Sequence, residues 1–282
     1  MNVTIDPINE KLYNNRAAVP NHLEVIESWA SESARARNEA SCNLGVSYGN
    51  SPRQIMDIFP ASSPNAPIMM FIHGGYWQGL DPGFFSFIAP ALTKAGYCVA
   101  IVGYDLCPDV TIDDITGQMR QAIRYLYQNA AIYNADRERI FVSGHSAGGH
   151  LTAEMMATDW PELDASLPAG LIKGGVPISG LFDLLPLLNT SINEKVGMAE
   201  EDAVRNSPIR RMPVGKIPMI VVVGGNETPA FLEQADRLEA AWSAESGKTS
   251  RLNVEGCDHF TIVGEMANPK SSLFQAISGL IN

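Results

Sequence analysis

Short apolar runs alternate with amphipathic stretches along the chain from about residue 54 onward. This alternation is typical of strand–helix–strand units arranged around a mostly parallel sheet. It predicts seven strands, at residues 54–59, 68–73, 97–105, 139–145, 171–179, 218–225 and 250–254. We therefore expect an α/β fold in which helices flank a mostly parallel central sheet.

Two of the amphipathic stretches carry clear helix signals. Apolar side chains share one face of the segment 111–130, where Thr111 and Asp114 form a capping box. A second helix is expected after Thr228, a good N-cap residue, with Pro229 in its first turn. The residues that this second helix would turn inward are Leu232, Ala235, Leu238 and Trp242.

Two segments depart from the alternation. Residues 1–45 are expected to form a helical N-terminal segment, and residues 181–212 form an insertion rich in Leu, Asn and Pro. Long insertions at the carboxyl end of a sheet often cover a site, but packing helices without a gating role fit 181–212 equally well. Because the sequence contains no internal repeat and no Gly/Ser linker, residues 1–282 are predicted to form a single domain.

Acidic residues are scattered along the chain and give it a formal net charge of −11. Such a balance argues against binding to nucleic acid or to anionic membranes. The four cysteines lie far apart without a Cys-x-x-Cys spacing, which favours reduced thiols in the cytoplasm over disulfides or structural zinc. No basic–apolar leader opens the sequence and no apolar run reaches about 18 residues, so neither secretion nor a membrane span is expected.

A candidate nucleophile lies where the predicted strand 139–145 gives way to an amphipathic stretch. The segment reads Gly144-His-Ser146-Ala-Gly148, which is the G-x-S-x-G pattern between a strand and a helix. In that context the serine occupies a sharp turn, and the two glycines let strand and helix approach closely. We therefore predict that Ser146 is a nucleophile.

A serine hydroxyl needs a base to remove its proton. Of the five histidines, His22 lies in the N-terminal segment, His73 precedes a pair of glycines, and His145 and His150 are too close to the serine in sequence to fold back over it. His259 lies between the last predicted strand and the last helix. It also completes the chain order serine, acid, histidine, so we predict that it is the base.

The acid that orients the histidine has two candidates. Glu227 follows the strand 218–225 at the carboxyl end of the sheet, and Asp183 follows the preceding strand. Asp258 is set aside because it adjoins His259 and would point elsewhere. We prefer Glu227 and keep Asp183 as the alternative.

The stretch Phe-Ile-His-Gly-Gly-Tyr-Trp-Gln-Gly, residues 71–79, places two glycines directly after a predicted strand. Backbone N–H groups can approach an oxyanion only where no Cβ intervenes, and an HGGG-type loop supplies such donors in α/β-hydrolases. We predict that Gly75 and Tyr76 donate their N–H groups together with Ala147, and that Gly74 provides the turn. A phosphate-binding loop is excluded because no helix pattern or lysine follows.

Several motifs occur in an order and at spacings that resemble the kynurenine formamidase (arylformamidase) group of the α/β-hydrolases. They are HGGYW, GYDLCP, GHSAGGHL, SGLFDLLPL, RNSP, GGNETPAF and DHFTIV. The resemblance covers most of the chain and implies an α/β-hydrolase that cleaves N-formylkynurenine to kynurenine and formate. It implies the nucleophile Ser146, the base His259 and the acid Glu227, where animal-type members carry Asp.

A serine–histidine–acid mechanism needs no metal or organic cofactor. Tyr76, Trp77 and Phe182 could form a pocket that stacks an aromatic leaving group, although packing in the core suits Phe182 at least as well. Gly74, Tyr76, Trp77 and Phe182 are the candidate substrate-binding residues; Tyr76 and Trp77 follow the glycines out of the core. Because bacterial members act on other amides and esters, a carboxylesterase for short-chain acyl or aryl esters is the alternative. A non-catalytic binding protein on the same fold is a third hypothesis, and a homodimer is one expectation for the assembly.

Overall fold

The computed structural model describes residues 3–246 and 248–281. Its centre is an eight-stranded sheet with the order β1-β2-β4-β3-β5-β6-β7-β8. The first two strands pair antiparallel, as do β2 and β4, and all other neighbours pair parallel. The strands are β1 (Asn43–Ser47), β2 (Ile55–Phe59), β3 (Ala66–Ile72), β4 (Cys98–Val102), β5 (Ala135–His145), β6 (Ile172–Ile178), β7 (Met219–Gly224) and β8 (Thr249–Val254).

The expected α/β class is confirmed, and each of the seven predicted strands is present as β2 to β8. The strand β1 was not predicted. It lies at the edge of the sheet, and most of its residues are exposed, so its sequence lacks the apolar signal of the inner strands. An edge strand is held largely by backbone hydrogen bonds to its neighbour, and these do not require apolar side chains.

Helices pack on both faces of the sheet. The α-helices are α1 (Pro7–Tyr13), α2 (Asn15–Ala18), α3 (His22–Glu39), α4 (Ala89–Lys94), α5 (Ile112–Asn129), α6 (Ala147–Met156), α7 (Trp160–Leu163), α8 (Asn193–Val196), α9 (Glu200–Arg205), α10 (Pro229–Ser246) and α11 (Ser272–Ile281). Short 3₁₀ helices cover Pro82–Phe84, Ser86–Ile88, Ala130–Tyr133, Leu185–Asn189, Pro208–Arg210 and Thr261–Ala267.

Both predicted helices are present. At the start of α5, the Thr111 hydroxyl accepts the N–H of Asp114 at 3.2 Å, and the Asp114 carboxylate accepts the N–H of Thr111 at 2.9 Å. The capping box is therefore confirmed. Helix α10 begins at Pro229 as expected, but the Thr228 hydroxyl donates to the carbonyl of Leu12 at 2.6 Å and so ties this helix to the N-terminal segment.

The N-terminal segment is helical, as predicted, and it contacts the segment 181–212. The N–H of Asp6 donates to the carbonyl of Asn189 at 2.8 Å. The carboxylate of Glu10 accepts both the N–H and the hydroxyl of Ser191, each at 2.8 Å. The two segments that depart from the strand–helix alternation are thus joined to each other. The expectation of a single domain over 1–282 stays a prediction.

The core lies on both faces of the sheet. Along β3, Ile68 and Met70 belong to one buried cluster, and Met69 and Phe71 belong to another. Side chains alternate between faces along a strand, so a strand buried on both faces reads as a continuous apolar run. That is why the inner strands were visible in the sequence.

The parallel strands β3, β5, β6, β7 and β8 all point the same way, so their carboxyl ends lie along the same side of the sheet. The predicted site residues follow these ends, which brings segments far apart in sequence to the same place. In the part of the chain that the structure describes, no helix is both long enough and apolar enough to cross a bilayer.

Candidate active site

The nucleophile turn joins β5 to α6 at Ser146. This residue has φ 58° and ψ −117°, a conformation that costs an L-residue free energy, and its hydroxyl lies within hydrogen-bond distance of His259. A Cβ on Gly144 would lie 2.3 Å from the carbonyl oxygen of Gly148, and one on Gly148 would lie 1.9 Å from that of Ile72. Only glycine fits at these two positions, as the motif predicted.

The structure brings the three predicted triad residues into one hydrogen-bonded chain. His259 Nε2 lies 3.0 Å from Ser146 Oγ, and His259 Nδ1 lies 2.7 Å from Glu227 Oε2. All three residues are buried: Ser146 is 3% exposed, His259 is 4% exposed and Glu227 is 8% exposed. The spacing suits proton transfer from the serine to the histidine and an ion pair between the histidine and the glutamate.

Asp183, the alternative acid, lies outside this chain. Its Oδ2 accepts a hydrogen bond from the Arg237 guanidinium at 2.8 Å, and its Oδ1 accepts the N–H of Leu185. The geometry therefore favours Glu227 as the acid.

Ser179 holds the glutamate, and sequence reasoning missed it. The Ser179 hydroxyl donates to Glu227 Oε1, which also accepts the N–H of Gly224 at 2.8 Å. These two donors fix the carboxylate so that Oε2 faces His259. The available signal was the position of Ser179 directly after β6, at the same edge of the sheet as the other site residues.

His145 contacts the backbone of the residue that serves as the predicted base. Its Nε2 lies 2.7 Å from the backbone carbonyl of His259, and the two rings are 4.7 Å apart. Burial, and then the neighbouring His259 ring, hold the pKa of His145 well below its usual value. A neutral His145 donates its Nε2 proton to that carbonyl and so positions the loop that carries the base.

The loop after β3 packs against the nucleophile turn. A Cβ on Gly74 would lie 2.9 Å from the His145 carbonyl oxygen and 3.0 Å from the Ser146 Cβ. Gly75 has φ 105° and Tyr76 has φ 51°, so the chain turns sharply beside the serine. The N–H of Ala147, in the first turn of α6, has no acceptor within its helix. The turn thus lies beside the serine, and donation by these three amides to an oxyanion stays a prediction.

We expect Gly75→Ala to lower kcat about 100-fold, because the loss of one aligned oxyanion donor costs about that much. An alanine is strained at φ 105°, and its Cβ would lie 2.4 Å from the Gly79 carbonyl oxygen. Gly79→Ala is the matched control, since a Cβ there meets nothing within 4 Å. Steady-state kinetics of both variants test this. Equal activity of the two would contradict the role of Gly75.

A cavity of about 50 Å³ lies directly beside the serine. Gly75, Tyr76, Ser146 and His259 line it from the sheet edge, and residues of α2 and α3 in the N-terminal segment close it. The space next to the nucleophile is therefore enclosed jointly by the sheet end and by the N-terminal segment.

Trp77 and Phe182 are not among the described residues that line this cavity. Trp77 turns back into the core, where it is fully buried with its ring 5.1 Å from His150. Phe182 is also fully buried, and its N–H donates to the Gln234 side chain. The expectation that Trp77 leaves the core is wrong, and a part for these two rings in binding stays a prediction.

Buried histidines make the free energy of unfolding depend on pH. Burial lowers the pKa of His73 to about 4 and that of His150 to about 3, because a charged ring loses its hydration there. In the unfolded chain the pKa is about 6.5, so below that pH the unfolded state binds more protons and the folded state loses stability. At pH 5 we expect a loss of about 2 kcal/mol for each of the two.

Urea denaturation at neutral pH and at about pH 5 measures this loss. In His150→Gln, the difference between the two conditions should shrink by about 2 kcal/mol, whatever the variant does to stability at neutral pH. An unchanged difference would show that His150 does not stay neutral in the folded state.

A mostly parallel sheet, a nucleophile turn between strand and helix, and a serine–histidine–acid chain define an α/β-hydrolase, and the chain is an enzyme of this type. Residues 56–239 match the BD-FAE family model. The kynurenine formamidase of Danio rerio is 32% identical over 91% of this chain and 87% of its own length. That of Salmo salar is 34% identical over 86% and 83%. The chain belongs to the kynurenine formamidase group of the α/β-hydrolases.

A solved structure agrees with this placement. A protein of Silicibacter sp. TM1040, described provisionally as a thioesterase, superposes with a TM-score of 0.83 at 35% identity. The superposition covers 96% of this chain and 98% of the other. The likeness thus includes the N-terminal segment as well as the sheet.

Proposed function

We propose that the enzyme hydrolyses the formamide bond of an aryl formamide such as N-formylkynurenine and releases formate. The observation that carries this proposal is the hydrogen-bonded chain of Ser146, His259 and Glu227 at the wall of a small cavity of about 50 Å³. The kynurenine formamidase relatives support the same substrate class.

In the first half of the reaction, His259 Nε2 removes the proton of Ser146 Oγ while Oγ attacks the formyl carbon. The N–H groups of Gly75, Tyr76 and Ala147 stabilise the oxyanion that forms. Glu227 stabilises the positive charge on the imidazole. His259 then gives the proton to the leaving nitrogen as the C–N bond breaks, and the aryl amine departs.

In the second half, water attacks the formyl ester on Ser146. His259 takes a proton from this water and returns it to Oγ as the ester bond breaks, so that formic acid leaves, ionises to formate in solution, and the serine is restored. Both halves use the same groups, and every proton lost by a nucleophile reappears on a leaving group.

The N-terminal segment, rather than residues 181–212, is the cover of this site in our proposal. Asn15, Arg16, Ile26 and Trp29 line the cavity, whereas none of the described lining residues comes from 181–212. That segment would then act through its contacts with the N-terminal segment. We also propose a cytoplasmic location, since the four cysteines are unpaired; a homodimer stays a prediction.

A carboxylesterase is the second candidate, because the same triad and oxyanion loop would cleave an ester with a better leaving group. The purified protein should be assayed side by side with N-formylkynurenine and with short p-nitrophenyl esters. We expect the higher kcat/KM for the formamide. Rapid ester cleavage without formamide turnover would favour the esterase, and failure of a fluorophosphonate probe to label Ser146 would favour a binding protein.

A further inference from the structure

The outer wall of the cavity carries a buried hydrogen-bond donor without an acceptor. Asn15, in α2, is only 3% exposed and lines the cavity together with Ser146 and His259. In the described part of the chain, its Nδ2 has no hydrogen-bond partner. Buried amide groups are almost always paired, so an unpaired one beside a nucleophile indicates that something else supplies the acceptor.

The neighbouring asparagine shows that this donor is not needed to cap the helix. Asn14 Oδ1 accepts the N–H of Ala17 at 3.1 Å, and Asn14 Nδ2 donates to Glu10 at 2.8 Å. The cap of α2 is therefore complete without Asn15.

The next residue along α2 is a cation without a counter-ion. Arg16 is exposed, lines the same cavity, and forms no ion pair with the described carboxylates. The nearby Glu10 carboxylate is taken up by Ser191 and Asn14. In a chain of net charge −11, an unpaired guanidinium at the mouth of a site is a local point of attraction for an anion.

We propose that Asn15 and Arg16 form a subsite for the polar arm of the leaving group, with Asn15 donating to a neutral carbonyl oxygen and Arg16 pairing with a carboxylate. This inference rests on the proposed function. The proposal is supported by how deeply the three residues are buried: Ser146 and Asn15 are buried, whereas Arg16 is exposed. N-formylkynurenine presents its groups in the same order, from the formamide through the aryl ketone to the carboxylate.

The small cavity makes such an arm necessary. The cavity directly beside the serine measures about 50 Å³, and its lining passes from the buried Ser146 to the exposed Arg16. The leaving group must therefore extend past α2 toward the mouth, where these two side chains stand. The substrate class is then an aryl formamide that carries an ortho carbonyl group and an anionic tail.

Three formamides separate the two contacts. 4-(2-Formamidophenyl)-4-oxobutanoate has both the ketone and the carboxylate and lacks the α-ammonium group of N-formylkynurenine, 2-formamidoacetophenone has only the ketone, and formanilide has neither. In Arg16→Gln, the ratio of kcat/KM for the first to that for the second should fall about tenfold, mainly through KM, and Arg16→Lys should keep part of it. In Asn15→Leu, the ratio for the second to the third should fall about tenfold.

Two control variants match these changes elsewhere in the chain. Arg35→Gln removes an exposed cation from α3, and Thr116→Val removes another buried polar atom without a partner, in α5. Both should leave the two ratios as they are in the wild type. The proposal is overturned if Arg16→Gln or Asn15→Leu does the same, or if a control shifts a ratio as much as its matched variant.

Failure of the proposed function is distinguishable from failure of the subsite. If no formamide is cleaved, the same ratios are measured with the acetate esters of phenol, 2-hydroxyacetophenone and 4-(2-hydroxyphenyl)-4-oxobutanoate. Calorimetry adds a readout without turnover: kynurenine should bind more tightly than 2-aminoacetophenone, and Arg16→Gln should remove that difference. Equal binding of the two amines would count against the subsite.

Discussion

Replacing Ser146 with alanine is expected to lower kcat about 10⁵-fold or more, for formamides and esters alike. The hydroxyl lies 3.0 Å from His259 Nε2, so its removal leaves the base without this nucleophile to activate. The residual rate would come from the oxyanion donors and from substrate binding, which together still exceed the reaction in water. Single-turnover kinetics and labelling with a fluorophosphonate probe measure the loss.

Ser143→Ala is the matched control for this variant. Ser143 lies on the same strand, is buried, and donates its hydroxyl to the carbonyl of Val176 at 2.8 Å. Its loss should cost about 1 kcal/mol of stability and leave turnover within a few-fold. Activity that survives in Ser146→Ala would show that another group attacks the substrate.

Replacing Glu227 with glutamine should lower kcat by about 10³- to 10⁴-fold while the protein stays folded. The carboxylate accepts the His259 Nδ1 proton at 2.7 Å and stabilises the charge that the imidazole gains during attack. A neutral amide cannot stabilise this charge, and its NH₂ group can hold the ring in the wrong tautomer. Glu227→Asp shortens the side chain by one methylene and should fall between glutamine and the wild type.

Asp183→Asn tests the competing acid. Asp183 is hydrogen-bonded to Arg237 and Leu185 rather than to His259, so the substitution should leave kcat within a few-fold and cost about 1–3 kcal/mol of stability. If Asp183→Asn impairs kcat far more than Glu227→Gln does, the assignment of the acid is wrong. The pH dependence of kcat in both variants shows in addition whether the base is affected.

The inner strands and the nucleophile turn at Ser146 could be predicted because each depends on the residues of a short segment. A strand buried on both faces must be apolar throughout, and a turn that forbids a Cβ at two positions must have glycine there. The loop at Gly74 and Gly75 was visible for the same reason. The choice of His259 needed only the chain order and the count of histidines.

Other features depend on neighbours that the sequence does not name. Trp77 was expected to leave the core, but it has φ 58° and its buried ring packs against His150. The role of Ser179 could be recognised only in the structure, where β6 and β7 are neighbours and the Ser179 hydroxyl donates to Glu227. Asn15 and Arg16 became candidate binding residues only because the structure places them in the lining of the same cavity as Ser146.

By itself, the sequence predicted the class of fold, the order of the inner strands along the chain, the serine and histidine of the candidate triad, and two candidates for its acid. The tertiary structure alone decided which carboxylate faces the histidine, how small the space beside the serine is, and which side chains of the N-terminal segment border it. The physical reason is the range of the interactions. Backbone conformation and burial patterns act over a few residues, whereas hydrogen bonds between Ser146, Glu227 and His259 exist only after the ends of parallel strands have met.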